Sequence, residues 1–156
     1  MSGLMRSILA LVLCLTLGAG QALAITGDDD FGSTKNPDFV QAARLVEAGD
    51  YAGTIPLLRK SVDADPNNAD AYNLLGFSHR KLGDVDMALA HYRRALEMEP
   101  GHRGANEYLG ELYLELGRLD AARERLEVLD DACFFGCEEY SELKAKIEAY
   151  MAQTGS

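Results

Sequence analysis

The chain is 156 residues long, with 25 acidic side chains, 15 Lys or Arg, a formal net charge of −10 and 3 cysteines. That length holds one domain, or one domain and a tail. The acidic balance argues against nucleic acid and anionic lipid as partners, both of which are held by Lys and Arg. An apolar fraction of 47% and an aromatic fraction of 8% suit a folded globule rather than a disordered chain.

The first 24 residues read as an address. Arg6 is their only charge, an apolar run extends from Ile8 to Leu17, and Ala22-Leu23-Ala24 supplies a small-x-small site. This is the layout of a cleavable secretory signal peptide. The competing reading is a membrane anchor, but ten residues of helix rise only about 15 Å, half of the roughly 30 Å hydrocarbon core. Lipidation at Cys14 is disfavoured by Leu13, which stands where a bacterial lipobox wants a small residue. Cleavage leaves 132 residues at net −11, with two cysteines, Cys133 and Cys137. A periplasmic, oxidising location is the expectation, and the mature chain has no other segment of membrane-spanning length. Residues 25–35, ITGDDDFGSTK, read as a flexible acidic leader.

Beyond the leader the chain repeats itself. Gly49, Gly83 and Gly117 are each 34 residues apart, as are Pro66 and Pro100. The clearest unit, 69–102, carries Tyr72, Leu75, Gly76, His79, Ala88, Tyr92, Ala95 and Pro100. Ala69 to Leu82 is predicted as an amphipathic helix that stops at Gly83 in a left-handed conformation. Val85 to Met98 is predicted as its partner, ended by Pro100. Gly76 and Ala88 are small where the two helices cross, and Leu75, Tyr92 and Leu96 fill the seam. The third unit, about 103–136, keeps Leu109, Gly110, Tyr113, Gly117, Ala122 and Leu126 but has Asn106 at its first pattern position. The first unit, about 35–68, is the most degraded and carries Pro56 in its second helix, as suits a terminal repeat with one face in water. Glu138 to Met151, with Tyr140, Leu143, Ile147 and Tyr150 at spacings of 3 and 4, is predicted as a capping helix.

These positions resemble the tetratricopeptide repeat (TPR) family, and the address in front of them makes the chain similar to small exported bacterial members. The resemblance implies an all-α superhelix of three helix pairs and a cap over residues 36–152. It implies a scaffold that binds a peptide or protein segment, without catalytic residues or cofactor. It also implies that the concave groove is lined by set positions of the first helix of each pair, here Phe39, Asn73, Phe77, Arg80, Lys81, Glu107, Glu111, Leu114 and Glu115. Glu107, Glu111 and Glu115 recur every fourth residue, which reads as an acidic stripe for a basic segment or as an ordinary solvated face with Arg103 and Arg118 nearby. A terminal-carboxylate ligand is disfavoured, because glutamates stand where cations would be wanted. Assembly or transport of an envelope complex is the expected setting, as a monomer or weak dimer.

Cys133 and Cys137 allow three readings: a structural disulfide at the joint before the cap, a soft-metal (copper) site, and a redox-active dithiol. A metal or thiol-redox carrier is therefore the alternative to the scaffold. No His or Met stands within six residues of the pair, and the usual CxxC on a thioredoxin-like pattern is absent. Phosphate loops and nucleophile elbows are also missing.

Overall fold

The computed structural model describes residues 36–155 and folds them into seven α-helices. They are α1 (Pro37–Glu47), α2 (Tyr51–Ala64), α3 (Ala69–Lys81), α4 (Val85–Met98), α5 (Arg103–Glu115), α6 (Leu119–Ala132) and α7 (Glu138–Thr154). The address at residues 1–24 and the acidic leader at 25–35 lie outside the described residues. Among the described residues there is no strand, and no helix is long and apolar enough to cross a membrane.

The same device turns the chain inside each pair. Gly49, Gly83 and Gly117 take φ of 78°, 80° and 72°, a conformation that costs glycine little and other residues more. Past each glycine the next amide reaches back to the third residue from the helix end. Asp50 N donates to Leu45 O at 2.9 Å, Asp84 N to His79 O at 2.9 Å and Arg118 N to Tyr113 O at 2.7 Å. Carbonyls left open by the helix end are thereby satisfied. Asp50 and Asp84 then cap α2 and α4 by accepting from Gly53 N and Met87 N, whereas Arg118 gives α6 no side-chain cap. Asn36, Asn68 and His102 cap α1, α3 and α5 in the same way.

The predicted bounds hold for α4, while Leu82 is the C-cap of α3 rather than part of it. The capping helix runs three residues beyond the predicted Met151, to Thr154, and stops at left-handed Gly155. Pro56 is the sixth residue of α2 and lies inside it, so one amide is missing from the intrahelical ladder.

Each pair packs on the next, and the core is a row of clusters. Ala42, Leu58, Ala71 and Leu75 join α1, α2 and α3. Ala88, Tyr92, Leu109 and Leu112 join α4 and α5. Leu114, Ala122, Leu129, Leu143 and Ile147 seat α7 on the last pair. Asn106, which replaces the aromatic residue of the pattern, is fully buried but satisfied. Its Nδ2 donates to Pro100 O at 2.9 Å and His102 O at 3.0 Å, and its Oδ1 accepts from Arg125 at 3.3 Å. Hydrogen bonds thus hold the place that ring packing would fill. His79 stacks on His91 at 5.3 Å with its Nδ1 3.1 Å from Asp84. Burial, with His79 and Arg59 close by, holds His91 down to about 4, so it is neutral at pH 7.

Glycine is required where two helices cross. A Cβ on Gly76 would stand 2.6 Å from the ring of Tyr92, which is itself fully buried. A Cβ on Gly110 would meet the ends of the Leu143 side chain at 2.6 Å, and those methyls can rotate. Gly76→Ala should therefore destabilise by about 1–3 kcal/mol through overpacking, and Gly110→Ala by less. Urea titrations of both variants against the parent check the order.

Candidate functional site

Helices α1, α3, α5 and α7 run side by side, each touching the next along one face of the repeat array. Their exposed and half-buried side chains form the candidate groove. An aromatic row occupies its middle. Phe77 is half-buried between Tyr51, edge-on at 5.9 Å, and Tyr108 at 4.8 Å. Lys81 is exposed, with its Nζ 5.1 Å above the Phe77 ring. Asn73 is buried, and its side chain lies where a Cβ on Gly104 would come within 2.9 Å of Nδ2. The missing side chain of Gly104 is what lets Asn73 pass between α3 and α5.

The acidic stripe is divided between exposed and buried acids. Glu115 is exposed, but Glu107 and Glu111 are buried. Glu111 Oε2 lies 2.6 Å from Arg80 Nη2, and Glu111 Oε1 pairs with Lys146 of α7. Arg80 also donates to Glu115 Oε1, from Nη2 at 2.6 Å and from Nε at 3.1 Å. Arg80, Glu111 and Lys146 therefore form an ion chain across α3, α5 and α7. Burial works against the Arg80 charge, but the Glu115 and Glu111 carboxylates more than offset it, so its pKa lies above the usual arginine value. Arg103 and Arg118, the expected neutralisers, are not the residues that pair with the stripe.

Glu107 has the opposite fate. Burial, a hydrogen bond with Glu142 and the charge of Glu111 push its carboxyl up to about 8. At pH 7 it is held mainly protonated and can donate to Glu142. The carboxylates of Glu107, Glu111 and Glu142 bring oxygens within 4.8 Å of one another. Among the described residues this is the group of three donors close enough for a metal ion. Lys146 and the Glu107 proton already supply positive charge there, and the cysteines are not part of it. Beside it a cavity of about 260 Å³ is lined by Glu107, Tyr108, Glu138, Glu139 and Glu142. Its environment pushes the Tyr108 hydroxyl up to about 12, through burial and the surrounding carboxylates, Glu107 first among them. A second cavity of about 350 Å³, lined by Arg80, Glu111, Leu114, Glu115, Lys146 and Tyr150 among others, lies across the ion chain.

Two of the expected groove residues also serve the core. Phe39 packs against the cluster of Ala42, Leu58 and Leu75, and Leu114 is buried in the cluster under α7. Cys133 is buried, and its Cα lies 5.6 Å from that of Cys137, within the span of a disulfide.

Two family models, each described as a tetratricopeptide repeat, match residues 79–147 and 57–90. The chain belongs to the tetratricopeptide repeat family. Among curated proteins it is similar to a tetratricopeptide repeat protein 36 homolog of Nematostella vectensis, at 30% identity over 51% of this chain and 44% of that one. It is also similar to a probable biofilm formation methyltransferase, WspC, of Pseudomonas putida, at 35% identity over 54% of this chain and 20% of that one. The chain thus spans under half the length of either relative. Among solved structures, PcrH in complex with the chaperone binding region of PopD superposes with a TM-score of 0.67 at 19% identity, over 79% of this chain and 95% of that one. The first TPR of Spaghetti (RPAP3), bound to an HSP90 peptide, superposes with a TM-score of 0.62 at 21% identity, over 72% and 88%. At these identities the likeness is one of fold.

The groove residues that the repeat pattern missed are Tyr51, Tyr108, Glu142 and Lys146. Tyr51 opens a second helix, at a position outside the groove set. Glu142 and Lys146 lie on the capping helix, which has no repeat to be compared with.

The raised pKa of Glu107 fixes a sign. The folded state holds this proton up to about pH 8, whereas the unfolded chain loses it near 4.5. The native state therefore binds more protons between these values, and stability falls as pH rises through that window. Glu107→Gln should remove this slope and stabilise the protein at pH 8 by about 1–2 kcal/mol, the exposed Glu142 being able to relax toward water. Chemical denaturation at pH 5 and pH 8 of parent and variant measures the difference.

Proposed function

We propose that the chain is an exported, non-enzymatic scaffold that binds a segment of another protein along α1, α3, α5 and α7. The observation that carries the reading is the pairing of an aromatic row, Tyr51–Phe77–Tyr108, with the carboxylate-lined cavity of Glu107, Glu138, Glu139 and Glu142. The row offers flat apolar surface to a side chain. The cavity offers negative charge to a Lys or Arg next to it. A basic segment with an apolar neighbour suits both. Its cation would enter between α5 and α7 and not along Glu111 and Glu115, whose charge is spent on Arg80 and Lys146. The peptide complexes formed by PcrH and by the RPAP3 TPR support the same mode of use.

The signal-peptide pattern at 1–24 supports export, and an oxidising periplasm would join Cys133 and Cys137 as a disulfide. That bond would fix the angle at which α7 leaves α6, and α7 contributes three of the four acids that line the cavity. Assembly or transport of an envelope complex suits such a scaffold.

Peptides selected from a random library on the immobilised protein should be enriched in Lys or Arg beside an aromatic or aliphatic residue. Reversing Glu139 and Glu142 to Arg should weaken the selected peptides by tenfold or more, since a charge-assisted pair is lost and a repulsion gained. Enrichment of acidic peptides, or affinity indifferent to the reversal, would remove the groove assignment. N-terminal sequencing of the periplasmic protein tests export separately, with Ile25 expected as the first residue.

A further inference from the structure

Two cavities follow one another along the seam between α5 and α7. The first is the acidic one, of about 260 Å³, between Glu107 and Tyr108 of α5 and the three acids of α7. The second, of about 350 Å³, lies across the ion chain and adds Leu114 from α5 with Ala149 and Tyr150 from α7. Both helices pass the acidic cavity first and the second one later in the sequence. The step averages about six residues on α5 and about ten on α7, or roughly 9–15 Å of helix.

Their charges are arranged in opposite ways. Of the four acids at the first cavity, Glu142 alone is in an ion pair among the described residues, with Lys146 at 3.7 Å. At the second, every charge on the wall is matched by another. Arg80 pairs with Glu111 and Glu115, and Glu111 pairs with Lys146. An ion entering there would give up hydration and find no free counter-charge. An uncharged side chain meets no such cost, and Leu114, exposed Ala149 and half-buried Tyr150 offer it apolar wall. Lys146 joins the two cavities, partnered by Glu111 and Glu142 and still 46% exposed. An ammonium has three donors, so one is left for a main-chain carbonyl. An extended segment presents such carbonyls, whereas a helix spends them on itself.

We infer that the seam sets the register of the bound segment. An extended chain places a Lys or Arg in the acidic cavity and, four residues away, an apolar side chain in the second one. The spacing follows from strand geometry. An extended chain advances about 3.3 Å per residue and returns its side chains to the same face at every second one. Two residues cover roughly 7 Å and fall short of the second cavity, three point the side chain away, and four cover about 13 Å and reach it. This register rests on the groove assignment for its cation. It adds an apolar site that the row of Tyr51, Phe77 and Tyr108 does not include.

A peptide array reads the register directly. Each blocked peptide holds one Arg and one Leu in a Gly-Ser chain, at separations of one to seven and in both orders. The labelled protein should bind best at a separation of four in one of the two orders, at least fivefold more tightly than at two or three. Ala149→Asp sets a charge on the wall of the second cavity and should erase this peak while leaving the signal that depends on Arg. Should A149D lose helix by circular dichroism, Gln153→Glu probes the same wall from the last turn of α7. A signal that needs Arg but is indifferent to the place of Leu would overturn the register and leave the groove assignment standing. A peak at seven, the spacing of a helical segment, would also overturn it, as would a peak at four that survives A149D and Q153E. Binding that does not depend on Arg at any separation would remove the groove assignment, and the register with it.

Discussion

The guanidinium of Arg80 lies between two carboxylates of the next repeat, and much of this protein's binding face is arranged around it. Glu111 answers both Arg80 and Lys146, so one carboxylate ties α3 to α5 and α5 to α7. Buried ions repay their desolvation only when each is matched, and here each is. Once Glu111 is spent on this chain, Glu107 is left among carboxylates with no cation of its own. It keeps a proton instead. One ion chain therefore decides which acids in the groove are available and which are not. It also makes α7 a wall of the binding face as well as a lid on the core.

The fold was legible because its determinants are local and periodic. Gly83 announces a left-handed stop, Gly76 with Ala88 announces a close crossing, and the same letters recur 34 residues later. The state of the acids was not legible from one helix. Glu107, Glu111 and Glu115 look alike at a spacing of four, yet their environments are set by residues one repeat away. Arg80 meets Glu115, and Glu111 meets Lys146, each at a separation of 35 residues. A charge pattern read across repeats would have found the first pair, whereas Lys146 lies on the capping helix, outside the repeats. Asn106 shows the reverse problem. It reads as a lapse from the pattern, whereas its amide satisfies Pro100 and His102 and holds Arg125. His102 looks like a loop residue but caps α5 and lies 3.1 Å from Asp70.

Two faces of the array thus carry different chemistry. The face of α1, α3, α5 and α7 is aromatic in the middle and acidic toward the cap. The α6–α7 turn carries two exposed phenylalanines, and α4 and α6 expose charges of both signs, among them Arg93, Arg94, Glu97, Arg123 and Glu124.

The core clusters have a further consequence. Each helix meets only its near neighbours in sequence, and α1 has no contact with α5 or α7. Cooperation along such an array passes from repeat to repeat rather than through a shared centre. The two ends are then unequal in strength. At one end the first pair includes a proline within α2, and the described residues show no ion pair on α1 or α2. At the other, α7 is secured by five buried aliphatic residues and an ion pair. Fraying should start at the amino-terminal pair and travel inward, so the acidic end of the groove keeps its shape longest.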